Sequence, residues 1–187
     1  GLGYKNSVTA QLALDEEGVM SGDLKLSSHD YASFESRQQL LADGEEKYVE
    51  RFSDENTGFE LGEYSFENAE DISSPFIENY DVQISEGLNS SGDLVFFSPM
   101  LAENIAENPF KTETRIYPVD FTYPRSSIYS LSLALPESYE VDEMPEAISI
   151  ALPEGKGSFT YSVSVVGGEL KVISMLKLKE YFFISSD

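Results

Sequence analysis

The sequence predicts a mainly β protein, α+β by content: antiparallel, sandwich-like strands with a short helical insertion near residues 31–53. Three observations predict it. Apolar residues alternate with polar ones over several short stretches, which is the period of a half-buried strand. Turn signals such as Asp15-Glu16-Glu17-Gly18 and Gly167-Gly168 separate those stretches at roughly ten-residue spacing. One segment alone, around Tyr31 to Phe52, changes to helical spacing.

Val8, Ala10, Leu12 and Leu14 alternate with polar neighbours, the acidic turn follows, and Val19 to Leu26 returns as a second strand. Asp30 is placed to cap a helix from Tyr31 to about Ala42, with Tyr31, Phe34 and Leu41 on one face and Gly44 as its stop. A shorter helix over Glu45 to Phe52 groups Tyr48, Val49 and Phe52. Phe59, Leu61, Tyr64 and Phe66 read as a strand, and Tyr80, Val82 and Ile84 as another. Gly87-Leu88-Asn89-Ser90-Ser91-Gly92 reads as a loop, and Leu94 to Phe97 as a short buried strand.

Beyond that point almost everything is β. Ile128, Leu131, Leu133 and Leu135 form a strand stopped by Pro136, and Ala147 to Leu152 one stopped by Pro153. Phe159, Tyr161, Val163 and Val165 alternate strictly, and Gly167-Gly168 is a strong two-residue hairpin turn. Leu170, Val172 and the stretch Ile173 to Leu178 pair back.

Charge divides the chain in two. Of 34 acidic and 12 basic residues, 1–110 hold 23 and 5, and 111–187 hold 11 and 7, for net charges of −18 and −4. The division, near Asn108-Pro109-Phe110, predicts an acidic β-rich part at 1–110 with the helical insertion and a sandwich-like part at 111–187. These are two domains or two halves of one, since 187 residues fit either. A net charge of −22 repels phosphate backbones and excludes a nucleic-acid partner. No Cys is present, so thiol and Cys-zinc chemistry are excluded from this chain. No apolar run is long enough to span a bilayer, so no membrane insertion is expected. The start at Gly1-Leu2-Gly3 and the end just after the strand-like Tyr181–Ile184 read as the ends of a piece cut from a longer chain.

Catalytic constellations are weak. His29 stands beside Asp30, but no G-x-S-x-G elbow supplies a nucleophile, and a strand-to-helix junction gives an imidazole an ordinary surface role. The acidic runs Asp15–Glu17 and Glu137–Glu143 lack the spacing that wraps a loop around calcium and read as solvated turns. Gly155-Lys156-Gly157-Ser158 lacks the preceding spacing of a phosphate loop. The 12 Phe and 11 Tyr read as core, without the Trp that sugar-stacking platforms favour. The expectation is therefore no catalytic residue, no cofactor and no metal.

One ordered series is more distinctive than composition: Asn108-Pro109-Phe110, Arg115-Ile116-Tyr117-Pro118-Val119-Asp120-Phe121, Leu133 to Val141, and Met144-Pro145. With the Leu12-to-Gly22 hairpin and Arg37, it resembles the uncharacterised C-terminal domain that follows the transglutaminase-like core in a family of bacterial envelope proteins. The resemblance covers about residues 8 to 185. It implies a periplasmic, secreted or cell-envelope setting and a non-catalytic accessory module, whose partner is its own upstream core or another protein. The Cys-His-Asp chemistry of such proteins belongs to that core, so no catalytic residue carries over. Arg115, Pro118, Asp120 and Phe121 are the candidate interface or structural residues. The prolines at 118 and 124 bracket an edge or linker, and Arg115 can pair with Asp120 or with the acidic first part. The alternative function is a stand-alone glycan- or peptide-binding module.

Overall fold

The computed structural model describes residues 2–85, 88–91 (backbone only), 94–101 and 117–184. The chain opens with a hairpin, β1 (Tyr4–Leu14) and β2 (Met20–His29), in the register Leu14↔Met20. The acidic turn closes it because the Asp15 carboxylate accepts the amides of Glu17 (3.0 Å) and Val19 (2.8 Å), while Gly18 supplies the positive φ. Two helices follow, α1 (Asp30–Asp43) and α2 (Glu45–Glu55). They are parted by Gly44, whose φ of 77° ends the first and whose amide donates to the Leu40 carbonyl.

The helices begin and end close to where the sequence places them, but α1 differs in detail. Asp30 is its first residue rather than its side-chain cap, with His29 in the capping position. Its buried residues are Ala32, Ser33, Arg37 and Leu40, whereas Phe34 and Leu41 are 62% and 83% exposed. In α2, Val49 and Phe52 pack on the core as expected, and Phe52 stacks on Tyr80 at 4.6 Å.

β3 (Phe59–Glu67) and β4 (Phe76–Ile84) extend the sheet outward from β2, with a bulge between Leu61 and Tyr64. β5 (Leu88–Ser91) and β6 (Leu94–Phe97) form a separate two-stranded ribbon. The expected loop at 87–92 thus contains a strand, and β6 is a strand as expected but with Leu94 and Phe96 exposed rather than buried. Gly87 and Gly92, like Asn108-Pro109-Phe110, lie outside the described residues. β7 (Val119–Asp120) pairs with β12 (Phe182–Phe183) in another ribbon. β8 (Arg125–Ala134), β9 (Ile148–Ala151), β10 (Gly157–Val166) and β11 (Glu169–Leu178) complete the main sheet. The Gly167-Gly168 turn forms as predicted, both residues having positive φ.

The protein is mainly β with the helical insertion in the predicted place. Eight strands join in one mixed sheet of order β3-β4-β2-β1-β8-β11-β10-β9. Two details differ from an antiparallel, sandwich-like layering. β1 and β8 run parallel, Val8 opposite Tyr129 and Leu12 opposite Leu133, and the helices lie against the sheet as a second layer. The hairpin with β2 occupies one edge of β1, so its other edge is open to a strand from far along the chain. That pairing joins the acidic first part of the chain to the strands after residue 110. The register places Tyr80, Leu24, Ala10, Leu131 and Val172 in one row across five strands, all nearly inaccessible. This row runs through the core on one face of the sheet.

Candidate functional site

Where β2 passes into α1, the chain makes a cleft of about 620 Å³ lined by His29, Phe34, Glu35, Ile72, Ser73 and Tyr123, among others. Asp30 also lines it, with a φ of 52°, a conformation that costs a non-glycine residue backbone energy. Its carboxylate accepts the Lys5 ammonium (2.8 Å) and the Gly3 amide (3.1 Å), and the Lys5 bond first of all holds its pKa below the usual carboxylate range. Adjacent His29 contacts Ser27 Oγ through Nε2 at 3.4 Å. The His-Asp neighbours in the sequence therefore have separate tasks: Asp30 fastens the start of β1 to α1, and the next residue, Tyr31, stacks on Tyr123 at 3.8 Å.

One wall of the cleft is the loop 71–75, and Arg37 holds it. Only 6% exposed, Arg37 donates from Nε and Nη2 to the Asn68 carbonyl (3.1 and 3.0 Å), and from Nη2 to the carbonyls of Asp71 and Ser74 (2.7 Å each). Its guanidinium also lies 5.7 Å from the Phe76 ring centroid. Within the loop the Asp71 carboxylate accepts the Ser73 and Ser74 hydroxyls at 2.6 Å, which lowers its pKa to about 2. On β4, Glu78 is 4% exposed and accepts the Tyr80 hydroxyl at 2.8 Å. Burial pushes the Glu78 pKa up, with the Tyr80 and Tyr48 hydroxyl bonds acting the other way.

Of the sequence-predicted interface residues, Arg115 lies outside the described residues, and Pro118, Asp120 and Phe121 do not line the cleft. Pro118 is exposed. Asp120 pairs with Phe182 in the ribbon, and its carboxylate accepts the Thr122 amide at 2.7 Å. Phe121 donates its amide to the Tyr181 carbonyl (2.7 Å) and meets Phe183 edge-on at 6.1 Å. Arg125 spans the rings of Phe121 and Tyr4, 5.3 and 5.1 Å from their centroids. Phe121 is thereby drawn into a clamp where the starts of β1 and β8 meet β12, while Asp120 folds back on its own turn.

A surface that sequence reasoning misses lies on the other side of the sheet. Opposite the core face, β8 presents Ser126, Ser130 and Ser132, interrupted by Ile128; β10 adds Thr160, Ser162 and Ser164. β11 presents Lys171, Ile173, Met175 and Lys177 there. Ile128 stands directly opposite Met175, and with Ile173 they are 42–46% exposed in the middle of the sheet. Glu169 at one end is occupied by Ser132 Oγ (2.9 Å) and Lys171 Nζ (3.2 Å). The signal for this face is the run Ile128-Tyr129-Ser130-Leu131-Ser132-Leu133. Ile128 is in phase with the two serines, whereas the core side is Tyr129, Leu131 and Leu133. Grouping Ile128 with the leucines assigns it to the wrong side.

Among the described residues no group of three or more His, Asp or Glu side chains could hold a metal ion. No helix of the described residues is long and apolar enough to cross a membrane. Fold and surfaces together define a β-rich α+β fold whose sheet has one helix-covered face and, among the described residues, one open face. Residues 93–187 match the family model described as "Domain of Unknown Function with solved-structure structure (DUF3858)", and the chain belongs to that family. Neither a curated protein nor a solved structure matches the chain.

Proposed function

We propose that the chain is a non-catalytic interaction module that docks, through the open face of β8 and β11, onto the transglutaminase-like core of a larger bacterial envelope protein. The carrying observation is the apolar patch of Ile128, Ile173 and Met175 at the centre of a hydroxyl-rich sheet face. Small-ligand sites are concave, whereas a sheet face with a central apolar patch and a polar surround suits a folded partner. At about 3.3 Å per residue and about 4.8 Å per strand, four strands of about ten residues offer on the order of 600 Å² in projection, near the share one partner gives to a standard interface. Lys177 and Lys171, the latter paired with Glu169, border the patch, and Lys25 lies on the same side of β2. A partner with an acidic rim complements them.

The test is amide exchange in the longer chain that includes the upstream core, compared with this module alone. Docking slows proteolysis and amide exchange around β8 and β11, and Ile173→Glu restores the module's own rates. Independent tumbling of the two parts, with unchanged protection on this face, refutes the proposal.

A further inference from the structure

Away from that face, the far edge of the sheet ends in a step. β9 pairs with β10 only from Ser158 to Tyr161, although β10 continues to Val166. The Leu152 amide donates to the Gly157 carbonyl at 2.9 Å, which sets the hydrogen-bonding phase of this pair. Antiparallel strands exchange bonds at every second residue, so the odd-numbered residues of β10 direct their amides and carbonyls to the β9 side. Ser162 and Ser164 direct theirs toward β11 instead. Val163 and Val165 therefore present their backbone groups to an edge where, among the described residues, no strand is paired.

Side chains there match an added strand. Val165, Ile148 and Ile150 are 41%, 44% and 53% exposed, and the register puts all three on the core-bearing face of the sheet. Pro145 and Pro153 flank β9, which is four residues long, and among the described residues no strand covers the step it leaves beside β10.

We propose that this step receives an extended, basic peptide segment from another protein as an added ninth strand. Hydrogen bonds to Val163 and Val165 supply the attachment, and apolar side chains at alternate positions pack beside the two valines. Charge selects the occupant. From 137 to 154 the chain carries six acidic residues and no Lys or Arg, with Glu143, Glu146 and Glu154 exposed around β9. A second copy would bring the same acidic flanks to the edge and be repelled.

The probe is a capped heptapeptide alternating Lys and Val, titrated against the protein while backbone amide exchange is followed by NMR. Binding slows exchange at Val163 and Val165 by about threefold to tenfold, the equivalent of one net hydrogen bond each. Ser162 and Ser164, already bonded to β11, keep their rates. The Glu-Val counterpart binds at least about tenfold more weakly at low salt. A Lys-Val peptide N-methylated at alternate amides, on the edge that faces β10, gives no protection. Val165→Pro removes an edge donor without touching the β11 ladder and weakens binding; unchanged exchange in β8 certifies its fold. Equal protection by the N-methylated peptide, equal binding of the Glu-Val peptide, or no protection by either overturns the proposal. Protection that instead rises with protein concentration alone, with a doubled mass in light scattering, assigns the edge to a second copy and overturns it as well.

Discussion

Arg37→Met tests whether a buried cation, rather than apolar packing, anchors α1 to the loop over the cleft. The wild-type guanidinium makes four contacts of 2.7–3.1 Å to three backbone carbonyls, those of Asn68, Asp71 and Ser74. A hydrogen bond to a charged group contributes about 1.5 kcal/mol at the low end of its range, so three acceptors sum to roughly 4.5 kcal/mol. Met refills much of the space and avoids burying a charge, and the loop carbonyls can turn toward water. The expected net loss is about 3 kcal/mol, between a simple deletion and the breaking of a buried charge network. Urea unfolding measures it as a lower midpoint at unchanged slope. Local exchange should rise at the loop 71–75 and in α1 before it rises in β8 and β11. A loss below about 1 kcal/mol, or destabilisation spread evenly through the sheet, refutes the anchoring role.

Other substitutions follow from the same structure. Gly22→Ala should cost about 3 kcal/mol or more, because its φ is 147° and a Cβ would stand 2.2 Å from the Gln11 carbonyl oxygen; Gly18→Ala, with positive φ but nothing within 4 Å, should cost only about 1 kcal/mol in the same unfolding assay. Glu78→Gln should flatten the pH dependence of stability. Burial raises the Glu78 pKa, so the wild-type contribution is complete below the ordinary Glu range and fades as pH rises through the raised value. The variant must therefore gain on wild type as pH rises from about 4, and parallel midpoints would contradict this. Asp30→Asn should cost under about 1 kcal/mol, since Lys5 is half exposed. The Asp30 pKa is lowered, so that contribution exists above the ordinary Asp range and disappears as pH falls through the depressed value, which unfolding midpoints in an acid series would show.

Local pattern carries the hairpins and misses what distance and burial determine. β1 with β2, and β10 with β11, are legible because alternation and turn chemistry lie close together in the chain. The parallel partnership of β1 with β8 leaves no local mark, since Tyr4 meets Arg125 across most of the chain. On α1, hydrophobicity points to Phe34 and Leu41, yet the buried side includes Arg37, which enters by satisfying backbone carbonyls. At 87–92 the two glycines and the serines outweigh the strand that pairing with Leu94–Phe97 creates. Among the candidate residues, Phe121 reaches a clamp that depends on β12 and Tyr4, neither of which its neighbours reveal. The open face is hidden for a different reason. Alternation separates Val172 from Ile173 and Met175, but all are apolar, and only the placement of the helices tells which side is covered.

The charge asymmetry acquires a spatial meaning from the sheet order. β3, β4 and β2 carry Glu60, Asp81 and Asp23 on the open side against Lys25, whereas β11 carries Lys171 and Lys177 there, with Glu169 at its end. The same face thus passes from acidic to basic across β1, and its apolar patch lies in the basic part. Two copies stacked by a two-fold axis through that patch would bring lysine against lysine, which opposes self-docking there. A different molecule with an acidic rim meets no such repulsion. In a chain of net charge −22, a local surface of opposite sign favours an acidic partner there over the rest of the molecule, and the docking proposed for this face would be oriented by it.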